Sequence, residues 1–170
     1  MLVLGKAGSA GTGKGVLPVL SGDAVVATLR ASSWREAATA RVGDREWVFA
    51  KSRGRLTGRW AADPEDAVRL RAQQTSFWKG TWEADLQGMP VRSEVVSRWK
   101  GGHRYLVDGR VIAETGTTGG WSPRHTLTAD ESLPLDQQVF VLWLGLVMTR
   151  RDQAAATVAI AGGVAAAGGS

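Results

Sequence analysis

The stretch LPLDQQVFVLWLGLVMTRRD, residues 133–152, decides the fold. It contains ten consecutive uncharged and almost wholly apolar residues, from Val139 to Met148. Asp136 can cap the beginning of a helix, and Arg150 with Arg151 suits the negative end of a helix dipole. Ten helical residues span about 15 Å, which is about half the hydrocarbon thickness of a bilayer. Because this helix has no polar stripe, we predict that protein surrounds it on all sides.

The residues before this stretch are predicted to form short strands, because apolar and polar residues alternate along them. Ten such segments are 24–31, 35–42, 46–51, 54–60, 67–72, 76–86, 90–99, 103–108, 110–115 and 124–129. Turn dipeptides separate many of them, and Asp108-Gly109, for example, suits a type I′ hairpin. Turns at intervals of about eight to twelve residues predict an antiparallel sandwich or barrel. The succession of hairpins favours the barrel.

The buried helix favours a closed barrel over a single sheet. A sheet with the helix packed on it covers one side of the helix, whereas a barrel closed around the helix covers every side. We therefore predict a mainly β fold, a closed antiparallel β-barrel of about 10–12 strands around a hydrophobic C-terminal helix at about 135–150. The predicted organisation is a flexible glycine-rich leader at 1–15, a single barrel domain at 16–152, and an alanine- and glycine-rich tail at 153–170, disordered or weakly helical. Gly145 is expected to let the helix approach a strand closely.

Composition narrows the classes of function. The 170 residues include no cysteine, which excludes disulfides, a thiolate metal site and a cysteine nucleophile. The formal net charge of +5 favours an anionic partner, either nucleic acid or a membrane surface, although it also serves solubility. Eight tryptophans against three phenylalanines suit strands and partly wet surfaces. Since no apolar export signal is evident at the start, we expect a cytoplasmic location.

The segment GSAGTGKG, Gly8–Gly15, is one residue short of a phosphate-binding P-loop. The pattern requires serine or threonine after Lys14, to hold magnesium, and the chain has Gly15 there. A P-loop also opens a helix, whereas Pro18 and a turn signal follow here. We therefore predict that Gly8–Gly15 binds no nucleotide.

The sequence offers little for catalysis. Its two histidines, His103 and His125, have no metal-ligand spacing and are predicted to lie on the surface. No G-x-S-x-G turn presents a serine nucleophile. Glu83 and Asp85 share a strand face, where paired acids are usually solvated. We predict no catalytic residue, no metal site and no cofactor.

The basic residues are the candidate ligand-binding groups. Four of them fall within nine residues around a predicted hairpin at Gly54, and two more flank Trp99 near a second turn. Arginine suits bidentate contacts to phosphate, and tryptophan suits a lipid interface or a stacked base. An ordinary solvated outer wall is the alternative interpretation. The candidate residues are Lys51, Arg53, Arg55, Arg59, Arg98 and Lys100.

The hairpin HRYLVDGRVIAE, 103–114, and the segment LPLDQQVFVLWLGLVM, 133–148, resemble in layout the tubby C-terminal-like superfamily. That superfamily includes the plant LURP-one-related proteins and the phospholipid scramblases. The resemblance covers about 16–150 and implies a closed barrel around a central helix. It also implies binding of membrane phosphoinositides or other anionic lipids. The cysteine cluster that carries fatty acylation in the scramblases is absent from this chain.

The charge and the resemblance together favour one function. We expect a non-enzymatic binding or scaffold protein that recognises anionic phospholipid headgroups at the membrane surface, peripheral at the inner membrane face. One alternative is a nucleic-acid-binding barrel. The other is a small-molecule carrier or enzyme that uses a pocket at the barrel end.

Overall fold

The computed structural model describes residues 1–76, 80–97, 102–120 and 122–166. These residues form twelve β-strands followed by one α-helix. The strands are β1 Leu2–Leu4, β2 Leu17–Ser21, β3 Ala24–Ala31, β4 Ala38–Val42, β5 Arg45–Ser52, β6 Arg55–Trp60, β7 Leu70–Ser76, β8 Thr81–Leu86, β9 Met89–Ser97, β10 Gly102–Val107, β11 Arg110–Thr118 and β12 Arg124–Ala129. The helix, α1, runs over Leu135–Ala166.

The strands form a closed barrel in which each strand pairs antiparallel with its neighbours in the chain. The barrel closes where β1 pairs with β12 on one side and with β2 on the other. At this closure Leu2 lies opposite Leu127 of β12 and opposite Ser21 of β2. The prediction of a closed antiparallel barrel of 10–12 strands is therefore confirmed.

The barrel begins earlier in the chain than the sequence analysis predicts. Strand β1 lies within the segment 1–15, which is predicted to be a flexible leader. Leu2 and Leu4 are each 5 % exposed, because their side chains enter the core while the backbone of β1 bridges β2 and β12. The leader prediction is wrong for these residues, since the barrel does not close without them.

The walls follow the predicted alternation of apolar and polar residues. In β5 the side chains of Trp47 and Phe49 point inward and are fully buried, and Leu56 of β6 is fully buried as well. A Cβ atom on Gly58 would lie 3.1 Å from a ring carbon of Phe49, so this wall accepts no larger residue without a shift. The inward side chains of the strands thus form a closed apolar surface.

Helix α1 fills this interior. From Val139 to Met148 every residue is buried, which confirms the prediction of a helix enclosed by strands. The Trp143 ring stacks on Phe49 of β5 at 5.1 Å between centroids. A Cβ atom on Gly145 would lie 3.1 Å from Cγ2 of Thr115 in β11, which confirms the expected close approach of helix and strand. The helix continues past the predicted end, so 153–166 of the predicted tail is helical.

The two histidines do not lie on the surface as predicted. His103 occupies an inward position of β10, two residues before the fully buried Tyr105, and is 3 % exposed. Its position follows from the alternation along β10, in which 103 and 105 face the core. His125 in β12 is partly buried. Burial, and secondly the nearby charge of Arg150, lowers the pKa of His125 below its ordinary value.

Candidate functional site

The two ends of the barrel differ in charge. Because successive strands are antiparallel, alternate connections lie at the same end. We call the end where α1 begins the entry rim, formed by the connections 22–23, 43–44, 61–69, 87–88, 108–109 and 130–134. We call the end where Arg150 and Arg151 of α1 lie the exit rim; its connections described in full are 5–16, 32–37 and 53–54.

The entry-rim connections carry eight carboxylates and one arginine. These are Asp23, Asp44, Asp63, Glu65, Asp66, Asp108, Asp130, Glu131 and Arg69. The three exit-rim connections carry four cations and one carboxylate, namely Lys6, Lys14, Arg35, Arg53 and Glu36. The run Arg150, Arg151 and Asp152 of α1 adds one net positive charge at this end. The barrel therefore has an acidic end and a basic end.

The helix is bound to the exit rim through the connection 32–37. Arg151 donates from Nε and Nη2 to the two carboxylate oxygens of Glu36, the second bond measuring 2.7 Å. Nζ of Lys51 lies 3.0 Å from the same carboxylate. Arg150 donates from Nη1 to the carbonyl of Ser32 at 2.8 Å. Both ends of this connection are thus held by the helix.

Between these two anchors, Trp34 projects into solvent. Its side chain is 96 % exposed. The hydroxyl oxygen of Ser32 accepts hydrogen bonds from the backbone N–H of Trp34 at 3.3 Å and of Arg35 at 3.1 Å. The exit rim therefore presents a bare indole from an anchored loop, with exposed cations around it.

The structure brings together only part of the predicted basic group. Lys51, Arg53 and Arg55 lie at the β5–β6 turn, on the exit rim, where Ser52 pairs with Arg55. Their proximity follows from the turn, which the sequence already indicates at Gly54. Arg98 and Lys100 lie outside the described residues.

Arg59 is separated from the others. It lies four residues beyond Arg55 along β6, about 13 Å at the rise of an extended strand. Its Nη1 atom donates to the carbonyl of Trp60 at 3.0 Å and to that of Asp63 at 2.8 Å. Arg59 thus stabilises a connection of the acidic entry rim.

Sequence reasoning misses several exit-rim residues: Lys6, Lys14, Trp34, Arg35, Arg124, Arg150 and Arg151. Most of them could have been found from the sequence, because alternate connections of an up-and-down barrel lie at the same end. Once an up-and-down barrel is predicted, summing the charge over alternate connections separates the basic end from the acidic end. The contact between Arg151 and Glu36, which are 115 residues apart, has no such signal.

Two concave regions are relevant to the alternative function of a small-molecule carrier or enzyme. A groove of about 590 Å³ lies on the outer wall of β6–β10, and three arginines and four carboxylates line it. Its alternating charges are typical of a solvated wall. A cavity of about 220 Å³ lies at the entry rim beside Gln137, whose buried amide oxygen has no hydrogen-bond partner among the described residues. Ligand pockets usually measure about 300–1,000 Å³, so this cavity suits water better than a substrate.

Two further observations concern metals and membranes. Within residues 1–76, 80–97, 102–120 and 122–166, no group of three or more His, Asp or Glu residues is placed to hold a metal ion. In the same part of the chain, no helix is long and apolar enough to cross a membrane.

The carboxylate that holds the helix to the exit rim predicts a pH dependence of stability. Hydrogen bonds from Arg151, more than any other cause, lower the pKa of Glu36 below its ordinary value of 4.5. The stabilisation is then fully present above pH 4.5 and is lost as the pH falls through the pKa of the folded state. We expect Glu36→Gln to lower the free energy of unfolding by about 1 kcal/mol at pH 7. Urea denaturation at pH 7 and at pH 3 measures this difference.

The same experiment has a matched control. Glu65→Gln removes an exposed carboxylate from the entry rim and is expected to change stability little. At pH 3 wild type and Glu36→Gln should differ less than at pH 7. A difference that stays constant between the two pH values contradicts the role given to the ionised carboxylate.

Comparison with known proteins adds no relative. No protein-family model, no curated protein and no solved structure matches the chain. The layout of barrel and helix is shown by the structure itself, while membership of the tubby C-terminal-like superfamily stays a prediction.

Proposed function

We propose that this chain is a non-enzymatic binding protein that recognises anionic phospholipid headgroups at a membrane surface through its exit rim. The observation that carries the proposal is the separation of charge between the two ends of the barrel. The connections of one end hold eight carboxylates and one arginine, and those described in full at the other hold four cations and one carboxylate. An anionic surface attracts the second end and repels the first.

The two rims are far enough apart for a membrane to attract the basic rim with little repulsion from the acidic rim. Strand β3 has eight residues, which measure about 26 Å along the strand. A strand tilt of about 40° reduces this to about 20 Å along the barrel axis. The Debye length in physiological salt is about 8 Å, so the acidic rim barely opposes an anionic surface that touches the basic rim. Each basic residue near such a surface contributes about 1 kcal/mol.

The proposal also locates the protein in the cell. A negative surface potential is a property of the cytoplasmic leaflet. On this proposal the protein is cytoplasmic and associates peripherally with the inner membrane face. The resemblance to the tubby C-terminal-like superfamily implies the same class of ligand.

Vesicle co-sedimentation tests the proposal. The protein is mixed with vesicles of phosphatidylcholine alone, or of phosphatidylcholine and phosphatidylserine in equal parts, at low and at physiological salt. We expect it to sediment with the anionic vesicles only, and to be released as salt rises, because screening weakens the attraction.

Two outcomes contradict the proposal. One is equal or negligible sedimentation with both kinds of vesicle at low salt. The other is binding of an oligonucleotide, in a gel-shift assay, at a salt concentration where the anionic vesicles bind no protein. The second outcome favours the nucleic-acid alternative, because the same cations then prefer a phosphodiester backbone.

A further inference from the structure

We propose that the protein docks end-on, that is, with its exit rim facing the membrane. In this orientation Trp34 is inserted at the headgroup level, and the outer part of α1, residues 153–166, is directed into the lipid. This inference rests on the proposed function and adds the orientation of the protein and the groups that penetrate. It follows from three features of the exit rim: the bare indole, the anchoring of its loop, and the uncharged helix that leaves the barrel beside it.

The indole of Trp34 is exposed in a chain that buries other indoles. Trp47, Trp82 and Trp143 are at most 2 % exposed, whereas Trp34 is 96 % exposed. A large apolar ring with one polar N–H group suits the boundary between water and hydrocarbon, where tryptophan is enriched in membrane proteins. Its neighbour Arg35 is also exposed and can contact a phosphate.

The loop that carries Trp34 is anchored at both ends. Ser32 is held by Arg150, and Glu36 is held by both Arg151 and Lys51. Because these contacts fix the loop, inserting the indole costs less conformational entropy than ordering a free loop would. Two of these three anchors, Arg150 and Arg151, come from the helix, so the indole and the helix approach a surface together.

The helix leaves the barrel at this rim. Beyond Arg151 the side chains of Asp152, Gln153 and Thr157 are exposed, and the helical backbone continues to Ala166. From 153 to 166 the sequence has no charged residue. Fourteen helical residues extend about 21 Å, less than the approximately 30 Å of the hydrocarbon layer. This segment carries no charge that would oppose its approach to lipid.

Because the sequence contains no cysteine, a thiol-reactive label attaches only to a single introduced cysteine. An environment-sensitive fluorophore is attached at Ser33→Cys, beside Trp34, or at Asp23→Cys, an exposed site on the entry rim. With the anionic vesicles we expect the Ser33→Cys emission to shift to the blue and to be quenched by lipids spin-labelled near the headgroup. The emission at Asp23→Cys should not change.

Substitution of the indole gives a second readout. Trp34→Ala should weaken partitioning into anionic vesicles about tenfold, the loss expected for one large apolar side chain. Trp34→Phe should retain most of the partitioning. The melting temperature should not change for either variant, because the side chain is exposed.

The outcomes separate this inference from the proposed function. Salt-dependent sedimentation with an unshifted Ser33→Cys probe leaves headgroup binding intact and overturns insertion. Equal shifts at both labelled sites overturn the end-on orientation. Failure of the unlabelled protein to sediment with anionic vesicles overturns both proposals together.

Discussion

Leu142→Ala is expected to lower the free energy of unfolding by about 2–5 kcal/mol, the usual range for a core leucine. Leu142 is fully buried within the enclosed segment 139–148 of α1, with the closed barrel around it. The cost should fall in the upper part of this range, because hydrogen-bonded strands on every side cannot move inward to fill the cavity. Urea denaturation followed by circular dichroism measures the loss.

Val111→Ala is the control for this variant. Val111 is an apolar residue of β11 with 43 % of its side chain exposed, so its truncation should cost less than about 0.5 kcal/mol. If Leu142→Ala costs no more than Val111→Ala, the helix is not enclosed as described. The m-value, the slope of free energy against urea, should stay constant if both variants unfold in one step.

The barrel could be predicted because its strands carry a strong local signal. The segments predicted at 24–31 and 124–129 have the same bounds as β3 and β12. Apolar and polar residues alternate from Ala27 to Ala31 in β3 and from Thr126 to Ala129 in β12, and both strands end at a turn or a polar segment, so neither depends on distant residues for its limits. The helix 139–148 then required a wall on every side, and this geometric need selected a closed barrel over a single sheet.

The two strands that the sequence does not reveal lack that signal. Strand β1 has three residues, too few for an alternation to be recognised. Strand β2 reads LPVLS, an apolar run with a proline, and its register shifts between Val19 and Leu20. Strand β1 is defined by its pairing with β12, which is distant in sequence, and β2 by its pairing with β1 and β3.

The end of the helix was misplaced for a different physical reason. Arg150 and Arg151 are typical of a helix C-terminus, where cations bind the last carbonyls. Here their partners are Ser32 and Glu36 of the exit rim. The charged residues therefore mark the point where the helix passes the rim, and the helix continues beyond them.

Reversing two exit-rim cations, with Arg53→Glu and Arg55→Glu in one variant, is expected to release the protein from anionic vesicles. Removing two basic residues costs about 2 kcal/mol, which is about a 30-fold weaker partition. The two introduced carboxylates add repulsion, so the measured loss should be larger. Both side chains are exposed, and the melting temperature should stay near that of wild type. Co-sedimentation with the phosphatidylserine vesicles at low salt measures the partition.

Arg71→Glu with Arg92→Glu is the matched control, because it changes the net charge equally. Arg71 and Arg92 are exposed on the outer wall and line the same groove as Arg55. If the exit rim meets the membrane end-on, the wall residues lie farther from the headgroups and their reversal should weaken binding much less, because screening acts over about 8 Å. Equal losses for the two variants would show that net charge or the groove determines binding, and the exit rim would lose its assigned role. The groove is lined by Arg55 and by both control residues. If only the variant with Arg53→Glu and Arg55→Glu loses binding, the β5–β6 turn and not the groove is responsible.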